Sequence, residues 1–237
     1  KDWYTQDGQG NVVPPNADWT DVADLNYDNQ AMRAEMIASM KYWVDTYDID
    51  GFRCDVAGAV PNDFWNTATA TLTAIKPLWM LAETNPGEVT IGTNFTSAYN
   101  WPLKDAFNGM GRGNTDGFTI SGEITRIAND YPKGNYPMNF ITNHDENSWS
   151  GSEYTRLGSI AAVKAGAVIS FTLPGAPLLY TGQEVGMNKM LKFFEKDQVD
   201  YPATTSPMTP FYTKLIELKT KTPALAVGAT AGSIAEV

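Results

Sequence analysis

Three short apolar runs in this chain each end on a carboxylate: Arg53-Cys54-Asp55, Leu81-Ala82-Glu83 and Asn143-His144-Asp145. One ionised carboxylate and one protonated carboxyl, about 5–5.5 Å apart, are what retaining cleavage of a glycosidic bond requires. The nucleophile in such a pair must stay charged, which a neighbouring guanidinium favours. Arg53 stands two residues before Asp55, and on a strand both side chains point the same way. Glu83 follows an apolar run, where burial would raise its pKa and keep its proton. Asp145 then suits the stabilisation of positive charge on a distorted sugar, and His144, the sole histidine, suits hydrogen bonds to sugar hydroxyls. Taken singly, an Asp at a strand end is more often a helix cap or a satisfied turn residue, and His144 more often a structural hydrogen-bonder. Only convergence of the three carboxylates makes a site.

Convergence depends on the elements that carry them. Apolar positions at helical spacing predict a helix over 30–47 through Met32, Met36, Met40, Trp43, Val44 and Tyr47. Strands are predicted over 49–56, 78–83 and 138–142, with a weaker one over 95–101 and a last one over 177–180. Helices are predicted over 64–75, 121–130, 160–171 and 209–220. Short apolar strands alternating with helices mean β/α units on a parallel sheet. In a parallel β/α barrel every strand opens its C-terminal end on one face, so Asp55, Glu83 and Asp145 would meet there. Glu83 lies about one β/α unit after Asp55, and Asp145 about two units further on.

Composition narrows the partners. A formal net charge of −10 repels phosphate backbones and anionic lipid, so nucleic acid and membrane surfaces are poor candidates. No apolar run is long enough for a membrane span, and no signal peptide opens the chain. The single cysteine, Cys54, leaves no intramolecular disulfide and no Cys-based metal site; between Phe52 and Val56 it reads as a buried small hydrophobe. Seven Trp and eleven Tyr offer flat faces that suit sugar rings and core packing alike. Trp149, close behind Asp145, and Trp101, expected at the end of the 95–101 strand, are the candidates to reach a cleft; core packing is the competing role for both.

The motif Gly51-Phe52-Arg53-Cys54-Asp55-Val56-Ala57 resembles the fourth-strand motif of α-amylase-type glycoside hydrolases, with Asp55 in the nucleophile position. Leu81-Ala82-Glu83 resembles their fifth-strand motif, which implies that Glu83 is the acid/base. Phe140-Ile141-Thr142-Asn143-His144-Asp145 resembles the seventh-strand motif and implies that Asp145 stabilises the transition state. Asp21-Val22-Ala23-Asp24-Leu25-Asn26 resembles the end of the lobe inserted after the third strand. The motifs occur in the family's order.

The resemblance implies an α/β fold: a partial (β/α)8 TIM barrel of strands 4 to 8 over residues 31–223, preceded by a remnant of the inserted lobe over 1–30 and followed by the start of a C-terminal β-sandwich over 224–237. It implies hydrolysis of internal α-1,4 bonds in starch-like α-glucans or maltooligosaccharides through a glycosyl-Asp55 intermediate. The alternative is a folded but catalytically weak fragment that at most binds glucans. A transglycosylase, in which sugar intercepts the intermediate, is a lesser option. The parent protein would be secreted, periplasmic or at the cell surface.

Two departures limit what carries over. The third-strand motif that supplies an Asn ligand to a structural calcium is not in this sequence, so calcium is an expectation without ligands and no other cofactor is implied. After Asp55 stands Gly58-Ala59-Val60-Pro61 in place of the Lys-His common in α-amylases, so the leaving-group side differs. Five strands of a barrel would leave two unpaired edges, which predicts a homo-oligomer if this chain is the whole protein.

Overall fold

Parallel pairing organises the computed structural model, which describes residues 1–114 and 116–228. Strand β1 (Gly51–Cys54) pairs with β2 (Trp79–Ala82), and β2 with β3 (Ser97–Ala98). Strand β4 (Met138–Asn139) pairs with β5 (Ala176–Pro177). One further parallel bridge, Tyr99 to Met138, joins the two ladders. The strands therefore lie side by side in chain order; β2 and β3 are joined by a loop holding the 3-10 turn Pro86–Glu88, and the other neighbours by helical crossovers.

Those crossovers are α2 (Asn62–Thr73) between β1 and β2, α3 (Trp101–Gly111) and α4 (Gly117–Asp130) between β3 and β4, and α5 (Glu153–Leu157) and α6 (Ile160–Thr172) between β4 and β5. Helix α1 (Gln30–Tyr47) leads into β1 and α7 (Met208–Lys221) closes the described chain. Local chemistry sets the helix ends. The Asn29 side chain accepts from the Met32 N–H at 3.0 Å and starts α1, and Ser159 does the same for Ala162 at 3.1 Å in α6. At the start of β1, a Cβ on Gly51 would collide with the backbone carbonyl of Trp79, so β1 can lie against β2 only with glycine there.

Three apolar clusters hold the sheet in place, the smallest of them Leu81, Tyr99, Met138 and Phe140. Phe64, Trp65, Met80 and Phe95 pack between α2 and the first three strands, with Cys54 among them. Burial pushes the Cys54 thiol up to about 12, which makes it an inert packing residue. Leu103, Phe107, Leu157, Val163 and Tyr212 fill the space among α3, α5, α6 and α7.

Several expected boundaries shift. Residue 101 opens a helix: Asn100 accepts from the Leu103 N–H and Pro102 sits in the first turn, where its missing N–H costs nothing. The strand there shrinks to Ser97–Ala98. The 138–142 strand ends at Asn139, and the 177–180 strand begins earlier and stops at Pro177, which has no N–H for a ladder. Residues 1–29 form no helix or strand and are held by isolated bridges such as Tyr4 to Leu25. In the segment expected to begin a β domain, Pro223–Leu225 is a 3-10 turn, and residues 229–237 lie outside the described residues. Among the described residues no helix is long and apolar enough to cross a membrane.

Candidate active site

The C-terminal ends of β1, β2 and β4 do bring their acidic residues together. Asp55, Glu83 and Asp145 line one pocket of about 420 Å³ with His144 and Trp149. Arg53 lies at its base. Its guanidinium reaches Asp55 with one nitrogen and Glu83 with the other, and its Nε donates to the Tyr99 hydroxyl at 3.2 Å. A single planar fork therefore registers the two carboxylates against each other. Burial works against the guanidinium's charge, but the Tyr99 oxygen, Asp55 and Glu83 more than offset it and hold Arg53 firmly cationic.

The two carboxylates have opposite surroundings. The Asp55 side chain is 75% exposed, that of Glu83 12%. Burial raises the Glu83 pKa above its ordinary value, opposed by the Val56 N–H and by Arg53 and reinforced by the negative charges of Asp55 and Asp145. Its environment thus lets Glu83 keep its proton to higher pH.

The backbone is bent to achieve this. Directly after Asp55, Val56 has φ of 42°, a left-handed conformation that is an outlier for a β-branched residue. The bend turns the Val56 N–H onto Glu83 Oε2 at 3.0 Å. On the far side, Asp145 begins a π-helical turn, Glu146–Ser150, anchored by a buried network. Glu146 meets Lys104 at 2.9 Å and Arg156 at 3.5 Å, and Arg156 also donates to the Ile141 carbonyl at 2.7 Å.

Glu83, His144 and Asp145 each offer a ligand atom, all within 4.8 Å of one another, the one such gathering among the described residues. It does not fit a structural calcium, which takes six to eight oxygens. Here one of the three donors is an imidazole and Glu83 is already committed to Arg53 and the Val56 N–H.

Of the residues singled out in the sequence, Trp101 lies apart. It stacks on Tyr99 at 5.4 Å, meets Phe140 edge-on, and carries the Lys104 ammonium over its ring. It supports the layer beneath the pocket and does not line it. Residues not expected at the site also line it: Trp19 and, from the quoted 21–26 motif, Asp21 and Val22, with Phe193 and Phe194 from the loop after β5. Trp19 and Val22 flank or belong to a motif already visible. Phe193-Phe194 carried one signal, adjacent aromatics in a stretch otherwise rich in Lys, Asp and Glu.

A family model described as "Alpha amylase, catalytic domain" matches residues 16–215. The alpha-amylase MalA of Haloarcula japonica is 30% identical over 234 residues, 97% of this chain and 33% of that protein. A cyclomaltodextrinase of Geobacillus thermopakistaniensis is 26% identical over 174 residues, 69% of this chain and 28% of that protein. Among solved structures, a maltogenic alpha-amylase of Thermotoga neapolitana matches with a TM-score of 0.81 at 29% identity, over 94% of this chain and 51% of that one. An alpha-amylase of Lactobacillus plantarum matches with a TM-score of 0.80 at 26% identity, over 94% and 55%. The chain spans about a third of the length of the curated relatives it matches.

Proposed function

The chain belongs to the α-amylase family and carries part of its (β/α)8 catalytic barrel, and on that premise we propose that it is a retaining hydrolase of internal α-1,4 bonds in starch-like glucans. Asp55 attacks the anomeric carbon while Glu83 gives its proton to the glycosidic oxygen. The C1–O bond breaks, the leaving sugar departs with that proton, and a glycosyl ester forms on Asp55. Glu83, now ionised, takes a proton from water; the water oxygen bonds to C1, the ester breaks, and Asp55 is regenerated with configuration retained. Asp145 faces the positive charge that develops on the ring, and Arg53 sets the attack line by gripping Asp55 and Glu83 together.

The observation that carries this reading is the shared Arg53 fork between an exposed Asp55 and a Glu83 whose pKa is raised by burial. It is tested by release of reducing sugar from soluble starch by the purified chain, beside Asp55→Asn and Glu83→Gln. Hydrolysis in the parent, and a loss of about 10²–10⁴-fold in Glu83→Gln, is the expected result. Equal rates in parent and variants would sink the proposal.

One observation favours a weaker second reading, a glucan-binding barrel portion of low activity. With its carboxylate 75% exposed, Asp55 works in water, where electrostatic stabilisation of the transition state is screened. A folded chain that binds maltooligosaccharide without releasing reducing sugar would select this reading.

A further inference from the structure

The three carboxylates stand on two separate ladders. Asp55 and Glu83 follow strands of the β1-β2-β3 sheet, and Asp145 follows β4 of the β4-β5 sheet. A single backbone bridge, Tyr99 to Met138, joins the two, with the Asn100 side chain donating to that of Asn139 at 2.8 Å beside it. Both contacts are separated from Asp145 by residues 140–144, so they leave its position over the pocket open. No direct contact sets that position either: among the described residues no hydrogen bond or ion pair joins Asp145 to Arg53, Asp55 or Glu83.

Beneath the pocket, a run of side chains crosses the seam between the ladders. The Tyr99 hydroxyl accepts from Arg53, and the Tyr99 ring lies against Trp101 at 5.4 Å with 20° between the planes. Trp101 opens α3 and Lys104 stands one turn on, so both share a face of that helix. The Lys104 ammonium lies 5.2 Å over the Trp101 ring and meets Glu146 at 2.9 Å and Asp105 at 2.7 Å. Glu146 directly follows Asp145, and its N–H donates to the Asn143 side chain at 2.8 Å. Phe140 packs edge-on against both Tyr99 and Trp101. Lys104 is only 7% exposed. A buried ion pair adds little net stability over an apolar pair of the same volume, but it holds its partners in one geometry.

We propose that Trp101 and Lys104 are positioning residues: with Tyr99 they form a strut that sets Asp145 in register with the Arg53-held pair, Asp55 and Glu83. The inference rests on the hydrolase reading and extends it to residues that lie beneath the pocket and touch no sugar. Asp145 faces charge that exists only in the transition state. A displaced strut therefore lowers turnover and leaves ground-state binding in place.

The test is kcat and KM for maltoheptaose in Lys104→Met and Trp101→Leu, each with and without Asp145→Asn. With Asp145 present, each substitution should lower kcat by about 10–100-fold and leave KM within about twofold. In the Asp145→Asn background the same substitutions should change kcat by less than about twofold, because the strut then has no carboxylate to place. Loss of folded protein would instead lower the rate equally in both backgrounds. Lys104→Arg, which keeps a cation over the ring and beside Glu146, should restore kcat to within about fivefold of the parent. Trp101 is partly exposed, so Trp101→Leu reads the effect even where Lys104→Met does not fold. Equal losses in both backgrounds, a change in KM alone, or full activity in the variants overturns the strut and leaves the hydrolase reading intact. No sugar release by the unsubstituted chain overturns both.

Discussion

The backbone N–H of Val56 donates to Glu83 Oε2 at 3.0 Å, so the bend that ends one strand is fastened to the acid that ends the next. That bond explains why a valine sits at φ of 42°, a conformation costing about 1–3 kcal/mol in a non-glycine residue. The strain faces Asp55 outward and the amide inward from adjacent positions, which a relaxed strand, with its alternating faces, does not do.

If Val56 is strained, Val56→Gly should unfold in urea at a stability within about 1 kcal/mol of the parent, because relief of strain offsets lost burial and added chain freedom. A loss of about 3 kcal/mol or more would show a relaxed turn.

Glu83 gives a pH dependence whose sign follows from its burial. Its folded pKa lies above the ordinary glutamate value of 4.5, so the native state holds this proton more tightly than the unfolded chain does. The stability this contributes is fully present below 4.5 and is lost as pH rises through the higher folded value. Melting temperatures of Glu83→Gln should therefore fall less with rising pH across that window than those of the parent. Activity should decline along the same limb as the acid loses its proton. Removing the opposing charge in Arg53→Gln should move that limb to higher pH. An unmoved limb would mean that Arg53 does not act on Glu83.

The buried network behind Asp145 makes a stability prediction. Arg156 is 2% exposed and serves Glu146, Asn108 at 2.9 Å and the Ile141 carbonyl. Arg156→Ala strands these acceptors and should cost about 3–5 kcal/mol in denaturant melts. Arg156→Lys keeps the charge but not the planar fork, and should fall between the two.

The positions of the carboxylates were legible in the sequence because each follows a β-branched or apolar run and precedes a turn, a pattern set by local backbone preference. Helix α1 was legible because its apolar residues recur on one face. Helix α3 was not. Pro102, Gly109 and Gly111 depress its propensity, and its Trp101 continues the aromatic pattern of the strand before it. Tertiary packing of Leu103 and Phe107 decides the matter, and packing has no signature in a short window. The placement of Phe193 and Phe194 was not legible, for a different reason. Their placement comes from Asn147 and Asp197, contacts made across the fold and within an irregular loop with no periodicity to read.

Association is the remaining prediction, and two surfaces argue for it. Among the described residues β1 is paired on one side only, by β2, and its other edge offers free backbone donors and acceptors. On α1, Tyr42, Trp43 and Tyr47 form a half-exposed aromatic cluster, with Trp43 and Tyr47 at 5.0 Å. An unpaired edge and a cluster of exposed rings are each surfaces that bury themselves against a second copy or another polypeptide. Light scattering of the purified chain at micromolar concentration should therefore give a mass above that of one chain. Trp43→Lys with Tyr47→Glu, both exposed and remote from the carboxylates, should shift it toward monomer without lowering the melting temperature of dilute samples. The cluster alone sits in the substituted helix, so a mass that stays high in the variant assigns association to the β1 edge. A monomeric parent with a sharp melt would mean that both surfaces are tolerated in water.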